Sequence, residues 1–429
     1  MPRSESAVGR ETRIVLENCG HIDPARLDQA VAAGAYGAIQ KILKAETTPS
    51  DVIDAVKSSG LRGRGGAGFP TGTKWSFTAS GETKYIVCNA DEGEPGTFKD
   101  RLILEGDPHR VLEGMMIAGY AVGASKGYVY IRGEYEQSIA RIRKAIDDAR
   151  RAGYLGDRVL GSAFSFDIEI KKGAGAYVCG DETALLESME GKRGYPRIKP
   201  PYPGSVGFWD KPTVVNNVET LANVPPIILR GADAFRSVGT AKSPGTKVYL
   251  LIGLVRKPGA VEAPMGTSLR SLLEDFAGGV RGGKPFKGAL VGGAAGAFVG
   301  PSALDMTMDF DGPKEHGAVL GSGAILVLDE DASVVELLHE VLRFFQHESC
   351  GQCVPCRVGS RVLVTLSQRI VSGCGTPDDL DRLVEVAKTM QVGSLCPLGQ
   401  SPILPVNTAI ETFREEFDTR LASACRTAS

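Results

Sequence analysis

Glu348-Ser-Cys-Gly-Gln-Cys-Val-Pro-Cys-Arg357 sets three cysteines, Cys350, Cys353 and Cys356, at Cys-x2-Cys-x2-Cys spacing in a 429-residue chain that holds nine cysteines. With Cys396, in Ser-Leu-Cys-Pro-Leu-Gly, they make four sulfur ligands, the number a [4Fe–4S] cube requires. The rival is tetrahedral zinc, which takes its ligands as two Cys-x2-Cys pairs or as Cys2His2; His347 could stand in, yet a triplet favours the cube. A disulfide framework is weaker still, given an odd number of cysteines and no secretory segment.

The surroundings of this stretch give the fold of the last hundred residues. Ser333 can cap a helix over Val334 to Phe345, and Thr376-Pro377 starts another with proline at its favoured first position. The four cysteines then fall at helix ends, where a compact bundle can hold a metal centre.

Outward from there, 42% hydrophobic content supports a large core, and the length suggests two to four domains. A net charge of −2 offers no basic footprint for nucleic acid or an anionic membrane. No apolar run is long enough to cross a bilayer, and the first ten residues carry no apolar core, so the expectation is a cytoplasmic protein, free or peripheral to a membrane complex. Cys19, Cys88, Cys179, Cys374 and Cys425 are scattered and read as small buried hydrophobes. The 54 glycines gather in a few runs, as expected where backbone approaches a ligand or turns tightly.

Residues 1 to about 60 read as helical, with Ser50 as a plausible N-cap. Gly60 to Trp75 then contains G-x-G-x-x-G at Gly63, Gly65 and Gly68, but a helix precedes it and Pro70 and Gly72 follow, so the dinucleotide fingerprint fails on context. A glycine loop exposing N–H groups beside Arg64, Lys74, Phe69 and Trp75 suits a phosphorylated, planar ligand. A strand from Lys84 to Cys88 ends at Asn89-Ala-Asp-Glu-Gly-Glu, the kind of strand end where α/β proteins bind ligands. Asp91, Glu92 and Glu94 would repel one another there unless ribose hydroxyls, amides, Lys99 or Arg101 meet them.

Helices over Pro108 to Gly123 and Ala140 to Ala152 alternate with strands over Gly127 to Arg132 and Phe164 to Ile170, an α/β pattern. A second glycine-rich turn from Gly173 leads into a helix near Glu182. Asn216 and Asn217, with Thr220, suit a phosphate or a flavin edge. Residues 245 to about 330 read as a small α+β module in which Gly292-Gly-Ala-Ala-Gly is a tight turn.

Five motifs in order, Gly63-Arg-Gly-Gly-Ala-Gly-Phe-Pro-Thr-Gly, Cys88-Asn-Ala-Asp-Glu-Gly-Glu-Pro-Gly, Gly173-Ala-Gly-Ala-Tyr-Val-Cys-Gly-Asp-Glu-Thr-Ala-Leu, Asn216-Asn-Val-Glu-Thr and Glu348-Ser-Cys-Gly-Gln-Cys-Val-Pro-Cys-Arg, resemble the NADH-binding flavoprotein subunit of NADH:quinone oxidoreductase. The relatives include diaphorase subunits of NAD-linked hydrogenases, formate dehydrogenases and aldehyde oxidoreductases. The resemblance implies a multidomain α/β protein: an N-terminal helical segment (1–50), a non-classical Rossmann-like flavin and NAD(H) domain (51–240), a β-grasp-like module (241–330) and a C-terminal helical bundle with the iron–sulfur cluster (331–429). By the same resemblance Gly63, Arg64, Gly65, Gly66, Lys74, Asn89, Asp91, Tyr177, Gly180, Asn216, Asn217 and Thr220 hold FMN, or FAD. Phe69, Phe77, Glu94, Glu182, Lys199 and Tyr202 face NAD(H), and Cys350, Cys353, Cys356 and Cys396 bind the [4Fe–4S] cluster. The implied partners are a thioredoxin-like [2Fe–2S] or ferredoxin-like subunit and a catalytic oxidoreductase subunit. Asp181 where the family usually has Glu and Tyr202 where Phe is common bear on the nucleotide contacts and the NADH-over-NADPH preference, and Cys396-Pro-Leu-Gly in place of Cys-Ala-Leu-Gly points to a specialised branch.

Overall fold

A computed structural model describes residues 11–421; the first ten residues and Cys425 lie outside the described residues. Three helices, α1 (Leu27–Ala32), α2 (Gly37–Lys44) and α3 (Pro49–Ser58), begin the described chain. The cap of α3 is Thr48 in place of the expected Ser50: Thr48 and Asp51 satisfy each other's backbone N–H groups in a capping box, and Pro49 takes the first helical position, where its missing N–H is no loss. The glycine-rich stretch follows and ends in α4 (Thr71–Ser76).

A parallel sheet forms next from β1 (Tyr85–Ala90), α5 (Lys99–Gly106), α6 (Pro108–Val122), β2 (Lys126–Arg132), α7 (Glu136–Arg151), β3 (Asp167–Gly173), α8 (Glu182–Met189), β4 (Thr213–Asn217) and α9 (Val218–Ala222). Its order is β3-β2-β1-β4 with every pair parallel. Strands covered on both faces need apolar runs, and Ile86-Val-Cys, Val129-Tyr-Ile and Val214-Val are buried accordingly. Helix α6 is buried almost all round and stops at Gly123, whose positive φ of 76° completes the C-terminal turn. The chain winds outward through β2 and β3 and then returns to the other side of β1, so the carboxyl ends of β1 and β4 flank a switch point, the crevice where such sheets bind ligands. The glycine loop lies between α3 and α4, outside the first βα turn, as its sequence context indicates.

Helices α10 (Val224–Arg230) and α11 (Ala232–Arg236) lead to a mixed sheet of β5 (Thr246–Gly253), β6 (Gly259–Pro264), β7 (Phe286–Val291), β8 (Ala297–Val299) and β9 (Ala324–Asp329), in the order β6-β5-β9-β7-β8. Only β5 and β9 are parallel. Its helical piece, α12 (Leu269–Ser271) with a π-turn over Leu272–Phe276, is capped by Ser268. The two sheets share a buried set of charges: Lys247 on β5 pairs with Glu219 of α9 at 2.5 Å, Lys99 reaches Glu219 at 3.1 Å and Asp100 at 2.7 Å, and Glu219 also accepts from the Val248 N–H.

The chain ends in α13 (Val334–Glu348), α14 (Val354–Val371), α15 (Pro377–Gly393), α16 (Pro397–Gln400), α17 (Ile403–Thr412) and α18 (Arg414–Arg420). Ser333 and Thr376 cap α13 and α15 as expected. A Cβ on Gly359 of α14 would stand 2.5 Å from Met390 of α15, so the two helices approach closely only because that position is glycine. Cys88 and Cys179 are buried as expected, whereas Cys19 and Cys374 are only half-buried. No helix of the described residues is long and apolar enough to cross a membrane.

Candidate functional site

At the switch point each strand end contributes a fixed amide. Asn89 of β1 donates to the Gly180 carbonyl at 2.9 Å and accepts from the Asp91 N–H at 3.1 Å. Asn216 of β4 accepts from the Trp75 indole at 2.8 Å, and Asn217 caps α9 by accepting from the Glu219 N–H at 3.0 Å while donating to Asp100 at 2.7 Å. The glycine loop is pinned on this turn: Thr220 accepts from the Arg64 N–H at 2.8 Å, and a Cβ on Gly65 would come 3.1 Å from that of Asn217. Gly68, at φ +65°, faces the Phe310 ring, which would lie 2.6 Å from an added Cβ. Tyr177 and Gly180 lie in the turn between β3 and α8, which the Asn89 hydrogen bond ties to the end of β1.

Two expectations for this loop are corrected. Trp75 is buried, a core group whose N–H orients Asn216, and it offers no open flat surface. The Arg64 side chain is buried too, with its guanidinium on the carbonyls of Arg62, Pro244 and Thr246, so it ties the loop to the mixed sheet. With its N–H held by Thr220 as well, Arg64 is an anchor of the loop.

Asp91 shows how well the crevice fits a bound group. Its Oδ2 is buried with no hydrogen-bond partner, an arrangement that costs free energy until a donor arrives. Burial pushes this carboxyl up to about 7, against the pull of Arg132 and with a further push from Glu134 and Glu348. A sugar-alcohol hydroxyl is a donor of the right kind for it. Glu92, by contrast, is structural: it accepts from the N–H groups of Asp100 and Arg101 and from the Tyr135 hydroxyl at 2.9 to 3.0 Å.

Beside the crevice, Glu182 at the start of α8 meets Lys74 at 2.8 Å and Lys199 at 3.6 Å, and Lys199 also meets Asp181 at 3.5 Å. Asp181 caps α8 through the N–H groups of Thr183 and Ala184. These two acids and two lysines balance. Phe69, Phe77 and Tyr202 expose their rings nearby in the chain, as stacking platforms for a planar ligand would. Glu94 stands apart from them in its partners, because Ala295 of the mixed sheet donates to it at 3.1 Å and Gly293 leaves it room that a Cβ would fill. Burial raises Glu94 to about 7, opposed by the hydrogen bonds from Ala295, Ser322 and Ala294. Reading Gly292-Gly-Ala-Ala-Gly as only a tight turn missed this role; nothing local in the sequence relates position 293 to position 94.

The four cysteines fall at helix ends, as the helix pattern indicates. Cys350 lies in the loop after α13, Cys353 caps α14, Cys356 is in its first turn and Cys396 caps α16. Ser349 sits 3.3 Å from the Cys356 sulfur, and a Cβ on Gly399 would stand 2.9 Å from that of Cys356. Burial pushes the Cys396 thiol up to about 12, while N–H groups of Leu398 and Gly399 point at its sulfur and work the other way. Among the described residues no three His, Cys, Asp or Glu side chains have the spacing that one metal ion requires. A cube, in which each thiolate takes a separate iron, needs a wider cage, and its irons would hold the thiols deprotonated. His347 is exposed. A link the sequence did not disclose joins the two centres: the Tyr177 N–H donates to Glu348 at 2.9 Å, and the Tyr177 ring meets Phe344 edge-on at 5.0 Å.

Comparison with known proteins agrees with this division. A Nuo51 FMN-binding domain matches residues 56–226, and an NADH-ubiquinone oxidoreductase-F iron-sulfur binding region matches residues 336–420. The HndC protein of the NADP-reducing hydrogenase of Solidesulfovibrio fructosivorans is 49% identical over 96% of this chain and 84% of its own. The F 2 protein of the NADH-quinone oxidoreductase of Rhizobium meliloti (strain 1021) is 48% identical over 94% and 96%. Among solved structures, an air-oxidized NAD+-reducing [NiFe]-hydrogenase superposes with a TM-score of 0.82 at 37% identity, covering 92% of this chain and 66% of that one. Its H2-reduced state gives 0.81 at 39%, with 87% of this chain matched, so the present chain spans 63% of that hydrogenase chain's length. With the Nuo51 FMN-binding domain spanning the parallel sheet and the iron-sulfur binding region spanning all four cysteines, the chain belongs to the NADH-quinone oxidoreductase F family.

Proposed function

We propose that this chain is the diaphorase subunit of a multisubunit oxidoreductase, taking electrons from NADH and passing them to partner subunits. The observation that carries the reading is the Tyr177–Glu348 hydrogen bond, which ties the wall of the FMN crevice to the first residue of the cysteine motif. When bound, FMN accepts the hydride of NADH and the [4Fe–4S] centre carries its electrons onward singly.

The residues bind and orient. The N–H groups of Gly65 and Gly66 meet a phosphate, with Gly63, its own N–H held by the Phe69 carbonyl, shaping the loop; Asn89, Asp91, Asn216, Asn217 and Thr220 fix the flavin, and Lys74, Tyr177 and Gly180 complete its cradle. Phe69, Phe77 and Tyr202 stack on the nucleotide, while Glu94, Glu182 and Lys199 meet its polar groups. Cys350, Cys353, Cys356 and Cys396 hold the cluster. Residues 51–240, 241–330 and 331–429 divide the work as flavin domain, β-grasp-like module and cluster bundle; the order β6-β5-β9-β7-β8 supports the second label. The onward carrier is a thioredoxin-like [2Fe–2S] or ferredoxin-like subunit, and the complex works in the cytoplasm.

An anaerobic titration of the flavin- and cluster-loaded protein with NADH tests this. Bleaching of both the flavin and the iron–sulfur absorption is expected. Bleaching of neither, with both cofactors present by analysis, would overturn the reading.

A further inference from the structure

We infer that the hydroxyls of Ser394 and Ser349 donate hydrogen bonds to sulfurs of the four-cysteine centre and raise the potential at which it accepts an electron. This rests on the reading of that centre as a [4Fe–4S] cluster.

Ser394 ends α15, two residues before Cys396. Its backbone is committed on both sides: the N–H donates to the Met390 carbonyl at 3.0 Å, and the carbonyl accepts from the Gln400 side chain at 2.8 Å. Its hydroxyl is not committed. The residue is 7% exposed, and its hydroxyl oxygen is buried without a hydrogen-bond partner among the described residues. A hydroxyl so placed has given up its bonds to water, a cost that a new acceptor removes. Other helix ends show the ordinary alternative. Ser59, Ser237 and Ser372 close α3, α11 and α14, and each donates to the carbonyl three residues back. Ser394 is extended instead, at φ −94° and ψ 147°, and its hydroxyl makes no such bond.

That hydroxyl lies beside a cysteine. A Cβ on Gly399 would stand 2.5 Å from the Ser394 hydroxyl oxygen and 2.9 Å from the Cys356 Cβ, so the two side chains border one spot. Ser349, at the end of α13, brings its own hydroxyl to 3.3 Å from the Cys356 sulfur. An iron-bound thiolate has no proton to give, so in either pair the serine donates and the sulfur accepts. Reduction adds one electron to the cluster, and the hydroxyl hydrogens stay on the serines. A hydrogen bond to sulfur strengthens as that negative charge arrives, which stabilises the reduced form and raises the potential. Cys396 receives the same support from the N–H groups of Leu398 and Gly399, which no side-chain change removes.

The test is a redox titration of the purified protein carrying flavin and cluster, followed by electron paramagnetic resonance. Ser394→Ala, Ser394→Val, Ser394→Thr and Ser349→Ala are compared with the parent. Loss of the Ser394 hydroxyl should shift the one-electron equilibrium about tenfold against reduction, which is about 59 mV at n = 1. Ser349→Ala should shift it in the same direction. Ser394→Thr keeps the hydroxyl and should stay within about twofold of the parent. The flavin potential should not move in any variant. Should Ser394→Ala take up no iron, the Thr and Val variants, alike in shape and different in the hydroxyl, carry the same comparison. A cluster potential unmoved by loss of either hydroxyl, a Thr variant shifted as far as the Val variant, or a flavin potential that moves with the cluster's would overturn the inference and leave the cluster standing. Iron and acid-labile sulfide absent from the reconstituted parent would overturn the cluster reading, and the inference with it.

Discussion

Glu94 is one carboxylate served by two sheets: it follows β1, yet its donor is Ala295 of the mixed sheet. With burial holding it at about 7, it ionises within the working range of the protein. A carboxylate accepts from ribose hydroxyls and carboxamide N–H groups more strongly than a neutral acid does. The KM for NADH should therefore fall as pH rises through about 7, and Glu94→Gln should flatten that profile; steady-state kinetics across pH checks both. The stability effect has the opposite sense. A raised folded pKa contributes stability below the ordinary carboxylate value and loses it as pH rises through about 7, so this group lowers the melting temperature of the ligand-free protein across that window. Gly293→Ala, which forces a methyl onto the carboxylate at a φ of +89°, should raise KM several-fold while the flavin stays bound. A different balance governs Glu182. Held between Lys74 and Lys199, its charge is compensated, so it does not by itself repel a 2′-phosphate. Glu182→Gln leaves the two lysines facing Asp181 alone, and the ratio of kcat/KM for NADPH over NADH should rise about tenfold, as coenzyme kinetics would show. Both carboxylates stood out in their motifs; the pairing of Glu182 with Lys74 and of Glu94 with Ala295 did not, because those partners lie 108 and 201 residues away.

The elements show why motifs were legible and their surroundings less so. Cysteine spacing is local, with Cys350 in the loop before α14, Cys353 at its cap and Cys356 in its first turn, and short apolar runs marked β1, β2, β5 and β9 close to their bounds. The glycine loop stood out by its residues, yet Arg64 and Trp75 within it turned out to be anchors, because burial depends on what packs from elsewhere. Gly72 belongs to the same class. Placed in α4 it looks like a poor helix former, but a Cβ there would stand 2.6 Å from the Lys57 backbone nitrogen of α3. Backbone cannot retreat as a side-chain tip can, so Gly72→Ala must push α4 away from α3. A loss of about 1–3 kcal/mol is expected from such overpacking. Because α4 carries Lys74 and leads to Phe77, the same shift should weaken FMN retention. Denaturant unfolding and flavin fluorescence would register the two effects, and a variant as stable as the parent would show that the helix pair yields without cost.

At the scale of the molecule, the join between the two sheets rests on charges that no composition statistic reveals. Lys247, Glu219, Lys99 and Asp100 are buried together, and their formal charges cancel. Asn217, an expected flavin contact, hangs from the same set through Asp100, so the join of the sheets and the floor of the crevice are one structure. Breaking such a set by removing one member leaves another charge buried and uncompensated, at about 3–5 kcal/mol. Lys247→Met should cost that much. Adding Glu219→Gln removes the orphaned charge, keeps an acceptor for the Val248 N–H and leaves Lys99 and Asp100 balanced, so the double variant should be more stable than the single. Acid tests the same join from another direction. Burial works against ionisation of Glu219, yet Lys247 and Lys99 hold it below the usual carboxylate range. A depressed folded pKa contributes stability above the ordinary value, about 4.5, and loses it as pH falls through the folded one. The parent should therefore unfold in acid more steeply than the double variant, which has no such group left to protonate. Equal acid profiles would mean that the sheets are held by their apolar contacts alone, and that the charges fix the geometry of Asn217 without contributing to stability.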